Sequence, residues 1–184
     1  PISKESSILR DLHIARSGLI KDRTRLRNRA QTQDIAVLKR QTRARLAQVE
    51  RQIAELDAEI TARIEAQEAM ARSRDILCSM PGVGAVTAAA LLILMPEIGT
   101  LGRKEAASLA GLAPITRQSG QWQGKSFIGG GRKPLRDALY MPALVAMRHN
   151  PELRAKYEDL RAVGKPAKVA IVAFVGKTAP HAVF

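Results

Sequence analysis

The sequence predicts a mainly α protein: a long helical hairpin of coiled-coil character, then a small helical domain holding a helix-hairpin-helix element and a short β-hairpin or loop. Three observations carry this reading. Aromatic residues make up 3% of the 184 residues while hydrophobic residues reach 46%, so alanine, leucine and isoleucine must do the packing, which favours helices over a β-sandwich. Residues 5–74 hold no proline and one glycine, Gly18. After them the composition turns small and apolar around Pro81-Gly82-Val83-Gly84. The shift divides the chain into a helical, dimerising segment over 1–72 and a second domain over 73–184.

In the first segment Ile8, Leu12, Ala15, Leu19 and Leu26 fall on one helical stripe. The polar stretch "NRAQTQD" at 28–34 is where the chain can turn back. Leu46, Val49, Ile53, Leu56 and Ile60 then recur in steps of three and four, an a/d seam flanked by glutamate and arginine. Such a stripe cannot stay wet, so the segment must fold back on itself, pair with another subunit, or both.

In the second domain "SRDILCSMPGVGAVTAAALLILM" reads as helix, glycine turn and helix. Gly82 and Gly84 permit the tight turn, and the amides opening the following helix can hold a phosphate. The alternative is an ordinary αα-turn. Pro96 ends that helix, and "GRKEAASLAGL" forms a short one closed by Gly111. Residues 114–128 read as an irregular loop or small β-hairpin. Glycines 129–131 read as a hinge into a basic helix with Pro134 near its start and a kink at Pro142. Asn150 caps a further helix with Pro151 at its first position, and Gly164 closes it. "KVAIVAFVG" fits helix or strand.

Thirty basic against seventeen acidic residues give a formal net charge of +13. That excess points to a polyanionic partner, nucleic acid first. A single cysteine, Cys78, excludes an internal disulfide framework and a thiolate zinc site, and His13, His149 and His181 lack metal-ligand spacing. The apolar stretch 83–95 is too short to span a bilayer. With no signal peptide in view, a cytoplasmic, nucleoid-associated protein and no membrane partner are expected.

Residues 116–131, "TRQSGQWQGKSFIGGG", hold Ser119 among cations: Arg117, Lys125, Arg132, Lys133 and Arg136. No histidine or carboxylate lies within the loop, so a Ser-His-Asp arrangement is disfavoured. Cations around a hydroxyl suit phosphoryl chemistry instead. Against this, serines beside glycines in loops are commonly turn residues.

The segments "LCSMPGVGAVTAAALL", "EAASLAGLAPITRQSGQWQGKSFIGGGRKPLRDALYMPAL" and "NPELRAKYEDLRAVGKPAKVAIVA" resemble the C-terminal part of transposases of the insertion-sequence one-ten type, also grouped under one-sixteen and nine-oh-two. The likeness runs from about residue 5 to 173 and is densest over 76–141. P-G-V-G, G-L-A-P, Q-S-G and G-R-K-P-L-R, in that order, make it specific. The resemblance implies a DNA recombinase in which an acidic, ribonuclease H-like domain binds divalent metal (magnesium) and a C-terminal domain supplies a serine. Some members use a guide RNA. The family's serine falls on Ser119, whose hydroxyl would attack a DNA phosphodiester.

From charge and proximity in sequence, Arg117, Gly120, Lys125, Arg132, Lys133 and Arg136 are expected to meet DNA around the serine, and the turn of Pro81, Gly82, Val83 and Gly84 to hold it non-specifically. Lys21, Arg23, Arg25, Arg27 and Arg29 would contact DNA or guide RNA, and the helical segment would form a homodimer or larger homo-oligomer. No metal ligand or cofactor is expected in this chain. It begins where the family's linking helices begin, and its tail "FVGKTAPHAVF" departs from the family pattern. The fragment by itself is therefore expected to bind DNA with little recombinase activity. The alternative is a non-catalytic nucleic-acid-binding dimerisation module in which Ser119 only turns the chain.

Overall fold

The computed structural model describes residues 3–116, 118–119, 122–124, 127–167 and 169–172. These are mainly helical, with four two-residue strands. The chain divides into two compact units, Pro1–Ala71 and Arg72–Phe184.

The first unit is an antiparallel pair of long helices, α1 (Lys4–Thr32) and α2 (Ala36–Glu65), packed along their lengths. Ser3 caps α1: its hydroxyl accepts from the Ser6 amide at 3.1 Å, satisfying one of the orphan donors of the first turn. At the tip, Thr42 is buried and donates its hydroxyl to Gln33 Oε1 at 2.7 Å. The chain thus folds back where the polar 28–34 stretch placed the break. Three inter-helix ion pairs fix the antiparallel order, since partners on α2 fall in sequence as those on α1 rise. They are Glu5–Arg63 (2.8 Å), Arg16–Asp57 and Arg27–Glu50 (2.8 Å).

Between the helices lie Leu9, Ile53, Ile60 and Ile64, all buried. Leu46, Val49 and Leu56 are half-buried, so the α2 seam faces α1. On α1 the expected stripe is half-buried at Ile8, Leu12, Leu19 and Leu26 and exposed at Ala15, and Leu9 beside it is the residue that is fully buried. His13 is also half-buried on α1; burial and the neighbouring Arg16 guanidinium hold its imidazole below the ordinary value of 6.5.

Helix α3 (Glu68–Cys78) crosses the boundary between the units, and the second unit continues with α4 (Ala85–Leu94) and α5 (Arg103–Leu109). Four strands follow: β1 (Pro114–Ile115), β2 (Gln118–Ser119), β3 (Trp122–Gln123) and β4 (Phe127–Ile128). Helices α6 (Lys133–His149) and α7 (Pro151–Ala162) complete it. The core is built on α4, whose Ala88, Ala90, Leu91, Leu92 and Ile93 are buried because nearly every side chain there is small or aliphatic. Helix α4 packs on α6, which contributes Leu135, Leu139 and Ala143, and α6 packs on α7. Helix α6 runs through Pro142 as one helix.

The helix ends follow local chemistry. Glu105 reaches back to the Gly102 amide at 2.8 Å to open α5. Gly111, at φ 66°, closes it: the Leu112 amide reaches the Ala107 carbonyl and the Gly111 amide the Ser108 carbonyl. Asn150 Oδ1 accepts from the Glu152 amide, with Pro151 at the first position of α7. Of the stretch read as helix or strand, residues 169–172 are helical and bury Ala170.

Candidate functional site

The serine lies on a β-hairpin, so the hairpin alternative for residues 114–128 is the one realised. At the base β1 pairs antiparallel with β4, matching Pro114 to Ile128 and Ile115 to Phe127. Nearer the tip β2 pairs with β3, matching Gln118 to Gln123 and Ser119 to Trp122. Ser119 is exposed, in the last pair before the two-residue link at 120–121. Among the described residues its hydroxyl has no hydrogen-bond partner. Arg117, Gly120 and Lys125 lie outside the described residues.

The base of the hairpin is locked by three glycines and an arginine. Gly111, Gly130 and Gly131 take φ of 66°, 65° and 60°, a region that favours glycine. The approach is close: a Cβ on Gly131 would overlap the Gly111 amide and lie 2.6 Å from the Leu109 carbonyl oxygen. The Arg132 amide donates to that Leu109 carbonyl at 2.7 Å. Arg136 Nη1 donates to the Gly111 carbonyl at 3.2 Å and the Gly130 carbonyl at 3.1 Å, one on each side of the hairpin. The glycine run read as a hinge thus passes close against Gly111 on the other side of the hairpin.

Two more of the basic residues singled out in the sequence are engaged within the protein. Arg132 forms a forked pair with Glu97, Nη2–Oε1 2.7 Å and Nη1–Oε2 2.9 Å, and its Nη1 also donates to the Leu94 carbonyl at 2.7 Å. That carbonyl ends α4, where a cation complements the helix dipole. Hydrogen bonding to Glu97 raises the Arg132 guanidinium further above its ordinary value. Lys133 pairs with Asp137 one turn along α6, and both are largely exposed. Reading the sequence missed the partners Glu97, Leu94, Gly111 and Gly130. The spacing of Arg132 and Arg136 by four, which puts both on one face, was the signal available.

In the turn between α3 and α4, Gly82 has φ 90°, and the Val83 amide donates to the Met80 carbonyl at 3.1 Å. A Cβ on Gly82 would come 2.8 Å from the Pro142 carbonyl oxygen and 2.9 Å from Val145 Cβ. Gly82 is thus needed for the contact with α6. Gly84 differs: it is exposed, has open space around it and precedes α4 without a side-chain cap. Pro81 is exposed and Val83 half-buried.

On α1, Lys21, Arg25 and Arg29 stand four residues apart in one row, all exposed. Arg25 pairs with Asp22, and Arg27 reaches Glu50. Among the described residues Lys21, Arg23 and Arg29 have no carboxylate partner.

Among the described residues no group of three or more His, Cys, Asp or Glu side chains is placed to hold a metal ion. Nor is any of their helices long and apolar enough to cross a membrane.

Residues 74–158 match the model of the Transposase IS116/IS110/IS902 family, a stretch that includes the glycine turn, the serine hairpin and most of α7. This stretch belongs to the IS116/IS110/IS902 transposase family. The chain is 38% identical over 130 residues to an insertion element IS110 43.6 kDa protein of Streptomyces coelicolor, covering 69% of this chain and 31% of that protein. It is 33% identical over 129 residues to a pilin gene-inverting protein of Moraxella lacunata, covering 68% and 40%. An insertion element IS900 42 kDa protein of Mycobacterium paratuberculosis is 34% identical over 137 residues, covering 70% and 34%. The chain therefore spans about a third of the length of these relatives.

Proposed function

We propose that this chain is the helical and serine-bearing part of a DNA transposase or recombinase, and that Ser119 is its nucleophile. The observation that carries the proposal is the exposure of Ser119 in the outermost strand pair of the hairpin, inside the family-matching stretch. In the step proposed, Ser119 Oγ bonds to a DNA phosphorus as the bond from that phosphorus to a deoxyribose oxygen breaks. The hydroxyl proton ends on the departing sugar oxygen. One phosphodiester is exchanged for another, so the link is reversible and the released strand end can be rejoined to a new partner.

The net charge of +13 supports DNA as the partner. Lys21, Arg23 and Arg29 on α1, and the uncapped amides after Gly84, are the groups best placed for backbone phosphates or a guide RNA. Arg117 and Lys125 flank the serine in sequence and would neutralise charge on the phosphate. A homodimer or larger assembly would further cover the half-exposed stripes of α1 and α2.

The test is to give the full-length protein nicked suicide DNA and look for a covalent protein–DNA adduct, with Ser119→Ala as control. A wild-type adduct that vanishes in the Ala variant is expected. An adduct that persists removes Ser119 as nucleophile and leaves a binding module. Duplex binding by the chain should also weaken steeply between low and moderate salt; a flat dependence would count against phosphate contacts.

A further inference from the structure

We infer that Arg136 is a positioning residue for the serine hairpin rather than a DNA contact; the inference rests on the reading of Ser119 as nucleophile. Its Nη1 donates to the Gly111 carbonyl, before β1, and to the Gly130 carbonyl, after β4. These residues are 19 apart in sequence and enclose the whole hairpin. The two backbones pass so closely that no side chain fits between them: a Cβ on Gly111 would overlap both Arg136 Nη1 and the Gly130 carbonyl oxygen. Gly111 is buried and Leu135, the neighbour of Arg136 on α6, is fully buried. The guanidinium is therefore carried on a helix anchored by its buried neighbour and bridges two carbonyls. A strand pair of this length has little stability of its own. Its direction must come from its base, and Arg136 ties both sides of that base to α6.

A clamp and a phosphate contact give different signatures. Trp122, the only tryptophan, is the backbone partner of Ser119 across the hairpin, so its fluorescence reports the hairpin without DNA or activity. In the 184-residue chain, Arg136→Met should lower the steady-state anisotropy of Trp122. The slope of log binding constant against log salt for duplex DNA should stay at the wild-type value. In the full-length protein, adduct formation should fall at least tenfold. Arg136→Lys, which keeps the charge and can reach one carbonyl, should fall between wild type and Arg136→Met in anisotropy. If Arg136→Met does not fold, the Lys variant decides by the same readout.

Unchanged Trp122 anisotropy in the folded variants overturns the inference. So does a salt slope smaller by about 0.9, the value for one lost phosphate contact. If Ser119→Ala still forms the adduct, the nucleophile reading fails, while the anisotropy and slope still judge the clamp.

Discussion

Arg132 and Glu97 lie 35 residues apart and meet through two parallel hydrogen bonds of 2.7 and 2.9 Å, with the end of α4 held by the same guanidinium. The pair ties the segment after α4 to the start of α6. Both side chains keep about a third of their surface in water, 31% and 38%, so the pair is worth less than a buried one. Glu97→Gln should cost about 1 kcal/mol, read as a lower urea midpoint at unchanged slope. Arg132→Lys should cost about as much, because an ammonium cannot reproduce the fork.

Acid should loosen the helical hairpin through His13. Burial and Arg16 keep its imidazole below 6.5 in the folded chain, so the unfolded chain takes up its proton first as pH falls. Stability from this residue is present above about pH 6.5 and is lost as pH drops through the interval below it. Thermal unfolding at pH 7.5 and 5.5 checks this. The melting temperature should fall further for wild type than for His13→Gln between those values.

The two glycines of the α3–α4 turn should respond in opposite ways. Gly82→Ala meets both a positive φ and the Pro142 carbonyl, so a loss of about 2 kcal/mol or more is expected by denaturant titration. Gly84→Ser has room, an ordinary φ of −88° and no competing cap, so it should gain about 0.5 kcal/mol. The added hydroxyl would also occupy an amide offered to phosphate, and duplex binding should weaken at the same time.

On α1, Leu9→Ala should cost about 3 kcal/mol and Ile8→Ala about 1, because the first is 2% exposed and the second is half-buried. Urea midpoints of the two variants give the comparison directly.

That contrast shows where a sequence can be read and where it cannot. The end of α5 at Gly111, the Asn150-Pro151 start of α7 and the fold-back after residue 32 depend on neighbouring residues, and each could be read locally. Which α1 residue is buried deepest could not. Ile8 and Leu9 are both apolar, and facing α2 decides between them. The basic residues before and within α6 were legible as charge but not as partners. Arg132 finds Glu97 35 residues back, and Arg136 finds Gly111 25 residues back, so only the folded chain reveals that both are already occupied. The need for glycine at 82 was likewise legible as a turn but not as a contact, because its close neighbour is Pro142, 60 residues on.

The two ladders of the serine hairpin are out of step: two residues separate Ile115 from Gln118, and three separate Gln123 from Phe127. An unequal count lets the outer half of an arm point along a different line from its root. Trimming one residue from each side would preserve the mismatch. Removing one from the returning side alone would bring both ladders into a single register, with Ser119 still opposite Trp122 but aimed elsewhere. Because faces alternate along a strand, only a change of two residues on each side would alter the arm's reach while keeping Ser119 on its present face.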